Sequence, residues 1–337
     1  MFRFANFDIV GGCNAKCPFC VTARTSFGQR IQHIAVADFA RSLDRLLELD
    51  LLAPNESTIE LYSWGEPLLH PNLNAIVQEI YDRRLRAGIS TNASKKTSFT
   101  GPSNHIHQFI FSVPGWSQSS YDKIHNLNFE GVVANIGATL QNLRDTGFTG
   151  IARLCFHAYK FNVKEELPRA KDWCLKQGIN LSVYAAYLND YEMMLKFRQG
   201  TLPRERLDYI SENLFFDYID DTIKAQPEGW ECPQFKTLTL NHRSEVLLCC
   251  VMPEGHQAYS LGSLFDLSKE QIIRGKTTSK ECNTCMAAGI AYWAHHPKIY
   301  EHVSPSRSAG RRIGRMVRTL LPTTGFGAPE KPASRHL

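Results

Sequence analysis

A chain of 337 residues, 43% hydrophobic and 21% charged, has material for one large domain or two modest ones with ample core. Its net charge of +5 is mild and gathers toward the C-terminus, so charge gives no reason to expect a nucleic-acid partner. No apolar run approaches a membrane span, and the N-terminus MFRFANFDIVGGC lacks the apolar stretch and cleavage site of a secretion signal, so a cytoplasmic location is the expectation.

In chain order, short β-like runs alternate with amphipathic helical runs. Residues 7–10 form an apolar strand leading into Gly11-Gly12-Cys13, and Phe39, Leu43, Leu46 and Leu47 then recur at helical spacing. A strand over 58–63 precedes a helix carrying Leu73, Ile76, Val77, Ile80 and Tyr81, and strands follow at 88–91 and 108–113. Val133, Ile136, Leu140 and Leu143 mark the next helix, with Gly147 near its stop. A strand at 151–158, a helix at 165–177 closed by Gly178, and a strand at 181–187 complete the series. Alternation on this scale implies a parallel sheet, open or closed into a barrel, with the chemistry at the C-terminal strand ends. The expected division is a barrel over 1–195, a helical bridge over 196–229, a compact α+β module over 230–290 and a basic tail over 291–337. In the module, strands at 237–240 and 245–248 pair around Asn241-His242-Arg243-Ser244, and a helix near 267–274 leads to Cys282 and Cys285.

Seven or eight of the ten cysteines fall in tight groups, as metal ligands do. Cys13, Cys17 and Cys20 offer three thiolates within eight residues on a loop after the first strand. Three thiolates can hold three irons of a [4Fe–4S] cube and leave the fourth open to an exogenous ligand. The competing reading is a zinc loop short of one ligand, although zinc sites usually gather C-x2-C pairs and four protein ligands.

The segment Gly12-Cys13-Asn14-Ala15-Lys16-Cys17-Pro18-Phe19-Cys20 resembles the signature loop of the radical S-adenosylmethionine (SAM) superfamily. The resemblance implies a partial (β/α)6 TIM-like barrel and a three-cysteine [4Fe–4S] cluster whose open iron binds SAM. It also implies reductive cleavage of SAM to a 5′-deoxyadenosyl radical, fed by a low-potential donor such as flavodoxin or ferredoxin. Phe19 resembles the residue lying against the adenine. Ser63-Trp64-Gly65-Glu66-Pro67 resembles the Gly-Gly-Glu-Pro motif that holds the SAM amino group, with Trp64 where the first glycine is usual. Thr91-Asn92-Ala93 resembles Thr-Asn-Gly after the third strand, and Ser112 the serine of the fourth strand that approaches SAM. Alone, Gly65-Glu66 or Asn92 would be ordinary turn chemistry; on successive strand ends they make one site.

Cys232, Cys249, Cys250, Cys282 and Cys285 form a second group, for which zinc ribbon and iron–sulfur cluster are equal readings from the residues alone. Cys232-Pro233, the hairpin, Leu261-Gly262-Ser263-Leu264 and the closing C-x2-C resemble the shortened SPASM, or Twitch, domain, which implies one auxiliary [4Fe–4S] cluster. Register with the hairpin favours Cys249 as the ligand, and spacing from Cys232 also permits Cys250.

On the strand at 151–158, Ala152, Leu154, Phe156 and Ala158 suit packing on outer helices, which would aim Arg153, Cys155 and His157 into the barrel. Arg153 is read as a binder of a substrate oxygen or as a structural ion pair, and Cys155 as a hydrogen-atom donor or a buried small hydrophobe. Cys174, on an amphipathic helix beside Ala170, reads as core. Within 310–321, Ile313, Met316, Val317, Leu320 and Leu321 oppose Arg311, Arg312, Arg315 and Arg318 at helical spacing. Such a helix would touch an anionic membrane surface, dock a partner or pack on the barrel. The favoured reaction is dehydrogenation of a small sugar- or cyclitol-like molecule, resembling the 2-deoxy-scyllo-inosamine dehydrogenases. Radical epimerisation, peptide modification and C–C bond formation are alternatives, as is a non-catalytic zinc scaffold.

Overall fold

The computed structural model describes residues 1–24, 31–188, 190–252, 256–296 and 299–303. Six strands build the N-terminal half: β1 (Phe4–Phe7), β2 (Thr58–Glu60), β3 (Arg86–Thr91), β4 (Ile106–Val113), β5 (Ile151–Ala158) and β6 (Asn180–Ala185). Each pairs in parallel with the next. The intervening helices include Val36–Glu48, Leu73–Asp82, Phe129–Asp145 and Glu166–Gln177.

The apolar spacing explains where these helices lie. Phe39, Leu43 and Leu46 are fully buried, as are Ile76 and Ile80 of the next helix and Ile136 of the third. They meet one face of the sheet, to which β4 gives Phe109, Phe111 and Val113 and β5 gives Leu154, Phe156 and Ala158, all solvent-free. The pairs Phe111↔Leu154 and Val113↔Phe156 stand in register, and each such side chain contributes about 1.5–3 kcal/mol by burial. The alternate residues, Ser112 of β4 and Arg153, Cys155 and His157 of β5, fall outside that core, on the opposite face of the sheet. Cys174 is buried in the core, on the face expected of it.

The first strand lies earlier than the expected 7–10, because Ala5 and Phe7 carry the buried alternation while Asp8 has turned to other work. β2 stops at Glu60 and β6 at Ala185, each short of its expected end.

The C-terminal module is not set apart from the barrel. β7 (Thr237–Leu240) pairs in parallel with β1, matching Phe4 to Thr237 and Phe7 to Leu240. β8 (Glu245–Leu247) and β9 (Ser260–Ser263) follow antiparallel, and β10 (Ile299–Val303) closes antiparallel on β6. The described strands thus form one sheet in the order β10-β6-β5-β4-β3-β2-β1-β7-β8-β9. In the β7–β8 turn, Asn241 Oδ1 accepts from the N–H groups of Arg243 and Glu245, both at 3.0 Å, which fixes the reversal.

The helices Tyr191–Arg198, Arg204–Asn213 and Ile219–Lys224 pack a second core in which Met194, Ile210, Leu214 and Ile219 meet Cys232, Cys249, Cys282, Cys285 and Trp293. The segment from 291, expected as tail, begins inside the fold with most of the helix Ile290–His295 and then β10. The helix expected over 310–321 lies outside the described residues. Among the described residues no helix is long and apolar enough to cross a membrane.

Candidate active site at the strand ends

The three loops that follow β1, β2 and β3 converge. Asp8, one residue past β1, accepts the Trp64 N–H on Oδ2 at 3.0 Å and the Gly65 N–H on Oδ1 at 3.1 Å. Glu66 N–H donates to the Gly12 carbonyl at 2.9 Å, so the loop after β2 is laced to the cysteine loop. A methyl on Gly65 would overlap the Val10 carbonyl, which gives glycine a steric necessity there. Trp64 is buried and needs only its backbone N–H for this geometry, so its bulk leaves the loop intact.

Glu66 occupies the centre. Its Oε1 accepts from Thr91 Oγ1 at 2.6 Å and Leu68 N–H at 3.0 Å, and its Oε2 accepts from Asn92 N–H at 2.7 Å. Burial pushes its carboxyl up to about 7 against the pull of those donors. Asn92 Nδ2 donates to Asn14 Oδ1 at 3.0 Å and to Cys13 Sγ at 3.5 Å, joining β3 to the cysteine loop. Ala93 has φ +55°, the left-handed region where the family motif carries glycine.

Cys13, Cys17 and Cys20 are all partly exposed and free of disulfides. Burial, with Glu66 next, pushes the Cys13 thiol up to about 12, and burial, with Cys20 next, drives Cys17 well above its usual value. Such thiols give up their protons where metal charge compensates the thiolates. Among the described residues no three His, Cys, Asp or Glu side chains are gathered to hold a single metal ion. A cube presents its irons at separate corners, so its thiolates stand farther apart than those sharing one ion. The donor set fits that group: three loop thiolates, with Cys13 receiving hydrogen bonds from Asn92 and from Ala15 N–H at 3.4 Å.

The remaining expected SAM contacts are dispersed. Ser112 Oγ lies 3.5 Å from His157 Nε2, a ring that burial holds down to about 4 and therefore neutral. Phe19 is buried in the second core, edge-on to Tyr209 with centroids 4.9 Å apart.

In the second cysteine group, Cys232, Cys249, Cys282 and Cys285 are all buried, whereas Cys250 is partly exposed. Cys285 feels the charges of Cys249, Cys232 and Cys282. Cys250 feels Cys249 and Cys232 and bears as well on Tyr62 and Tyr187, but does not bear on Cys285. A hydrogen bond from Cys250 lowers the Cys249 thiol and raises that of Cys250. The buried quartet with Cys249 is again a donor set that fits a cluster.

On the opposite face of β2–β5 lies a buried polar cluster that only Arg153, Cys155 and His157 represented in the sequence. Glu60, at the end of β2, is buried and accepts from Gln108 Nε2 at 2.9 Å on Oε1, while its Oε2 has no partner among the described residues. Burial pushes its carboxyl up to about 7, opposed by Gln108, Tyr62 and Arg153. Gly88 faces that carboxyl across β2–β3, where a Cβ would overlap it. Burial raises Cys155 to about 12, with Arg153 opposing. Sequence reasoning missed Asp8, Asn14 and Glu60; Asp8 alone carried a signal, an acid interrupting an apolar strand end.

No family model matches the chain. Among curated proteins it is similar to the antilisterial bacteriocin subtilosin biosynthesis protein AlbA of Bacillus subtilis, 21% identical over 313 residues, 88% of this chain and 63% of that protein. It is also similar to the 7-carboxy-7-deazaguanine synthase of Rickettsia prowazekii, 28% identical over 120 residues, 35% of this chain and 46% of the relative. The chain spans less than two thirds of the length of each. Among solved structures, Streptococcus suis SuiB bound to the precursor peptide SuiA aligns with TM-score 0.53 and 11% identity over 84% of this chain and 66% of its own. The anSMEcpe structure with bound AdoMet aligns with TM-score 0.52 and 12% identity over 83% and 81%. Both carry the partial barrel, and all four proteins are radical SAM enzymes. With its three-cysteine loop leaving β1 beside the Glu66–Asn92 lattice, this chain is similar in sequence to radical SAM enzymes and shares their partial-barrel fold.

Proposed function

We propose that the enzyme removes a hydrogen atom from a small polar, sugar- or cyclitol-like substrate in the lumen and completes a two-electron oxidation, with the second cysteine group holding the electron acceptor. The observation that carries this reading is the lumen itself: Glu60, Tyr62, Gln108, Arg153 and Cys155 run from β2 to β5, and Tyr187 feels both Cys155 and Cys250.

Cys13, Cys17 and Cys20 would hold the first [4Fe–4S] cluster, and Cys232, Cys249, Cys282 and Cys285 an auxiliary one. Such a cluster with SAM bound would supply the hydrogen-abstracting 5′-deoxyadenosyl radical. Glu66, Gly65, Asn92, Ser112 and Phe19 are the proposed SAM contacts; Glu66 serves by fixing β3 as much as by any direct contact. Arg153 orients a substrate oxygen. Glu60 takes the hydroxyl proton as the carbon is oxidised, its carboxyl poised near neutrality for that transfer. A low-potential donor of the flavodoxin or ferredoxin class supplies the priming electron.

A peptide substrate is the second reading, favoured by the similarity to AlbA over 88% of the chain and by the precursor peptide in SuiB. The reconstituted enzyme, with SAM and dithionite, is offered an aminocyclitol and, separately, ribosomal precursor peptides from neighbouring genes. An aminocyclitol ketone formed in step with 5′-deoxyadenosine supports the proposal. Peptide modification with an untouched cyclitol overturns it, and deuterium uptake from heavy water, lost in Cys155→Ala, would mark an epimerase instead.

A further inference from the structure

The helix Lys269–Thr278 carries a lysine with no access to solvent. Lys276 is 0% exposed, and its Nζ donates to the Leu248 carbonyl at 2.6 Å, immediately before Cys249. The helix is firmly placed: Ser268 and Gln271 form a reciprocal cap at its start. Gly275 lies so near the Leu261 side chain that a methyl there would collide, so the helix sits flush on β9.

A buried ammonium costs several kcal/mol unless an opposite charge answers it. Among the described residues no carboxylate pairs with Lys276, and the negative charges that bear on it are those of Cys249, Cys282, Cys250 and Cys232. A lysine in this setting is tolerated where Cys232, Cys249 and Cys282 are anionic, as the thiolates of a metal cluster are. A fixed cation beside such a cluster stabilises each added electron and so raises the reduction potential.

We propose that Lys276 is the counter-cation of the auxiliary cluster and holds its reduction potential up, making it an electron acceptor rather than a second low-potential donor. The inference rests on the reading of Cys232, Cys249, Cys282 and Cys285 as a cluster site. Lys276 touches no substrate; it is a positioning residue for charge.

The test is a potentiometric titration of the full-length, anaerobically reconstituted protein followed by electron paramagnetic resonance. The SAM-sensitive signal reports the first cluster and the SAM-insensitive signal the auxiliary one. In Lys276→Met the auxiliary cluster should become harder to reduce, its reduced-to-oxidised ratio at fixed potential falling tenfold or more, about 59 mV for one electron. Lys276→Arg should stay near wild type, and the first cluster should not move. Loss of auxiliary iron in Lys276→Met with retention in Lys276→Arg also supports the proposal. An auxiliary potential unchanged in Lys276→Met overturns it, as does an arginine variant that behaves like methionine. A wild-type chain that assembles only the SAM-sensitive cluster, or carries zinc in its place, overturns the auxiliary-cluster reading and this proposal together.

Discussion

Asp8 holds Trp64 by its main chain: Oδ2 accepts the Trp64 N–H at 3.0 Å, and Oδ1 takes the next N–H, of Gly65, at 3.1 Å. The loop after β2 therefore depends on a carboxylate just past the end of β1. Asp8→Ala leaves two N–H groups without that acceptor, at about 1–3 kcal/mol each. Urea unfolding should show the loss, and calorimetry should show SAM affinity falling with it. Asp8→Asn, which keeps one acceptor, should fall between.

Gly65 and Gly137 make a controlled pair. A methyl on Gly65 meets the Val10 carbonyl, a backbone atom that cannot swing aside, whereas one on Gly137 in the helix Phe129–Asp145 meets nothing within 4 Å. Gly65→Ala should destabilise by roughly 1–3 kcal/mol or more. Gly137→Ala should stabilise by about 0.5–1 kcal/mol, because alanine is the better helix former. Thermal unfolding of both variants measures the contrast.

Glu60 makes stability fall with rising pH. Its folded carboxyl stands at about 7 against a usual 4.5, so between these values the unfolded chain loses its proton first. The native state then binds more protons than the unfolded one, and stability drops by roughly 3 kcal/mol across that window before levelling above it. Glu60→Gln should remove this portion of the slope between pH 5 and 8. Glu66, raised for the same reason, should keep its own portion in that variant. Denaturation midpoints across the range measure both.

Cys249 and Cys250 are adjacent, but Cys249 is buried and acts on Cys285 while Cys250 is partly exposed and bears on Tyr62 and Tyr187 as well as on Cys232. Cys249→Ala should cost roughly half the iron of the reconstituted protein, and Cys250→Ala little or none. Iron and sulfide assays separate them; the reverse result would exchange their roles.

Much of the barrel was legible because its signals are local. Period-two burial in β4 and β5 and the apolar stripe Phe39-Leu43-Leu46 needed no distant partner to be read. The cysteine loop and the Glu66 and Asn92 turns were legible as motifs on strand ends. Other features depend on contacts between distant segments. The pairing of β7 with β1 joins residues more than 230 positions apart, and nothing in Phe4-Ala5-Asn6-Phe7 announces it. Glu60 resembles any acid at a strand end until Gly88 makes room for it across the sheet. Lys276 resembles a solvated helix lysine until Leu248 and the cysteines close over it.

The central claim is that Cys13, Cys17 and Cys20 form the site of SAM cleavage. Its most direct test is 5′-deoxyadenosine formation by anaerobically reconstituted protein, with iron counted in the same sample. Wild type should hold roughly eight irons and cleave SAM under dithionite; a variant with all three cysteines changed to alanine should keep about half the iron and release no 5′-deoxyadenosine. Wild-type protein that takes up zinc without iron, or a triple variant that still cleaves SAM, would contradict it.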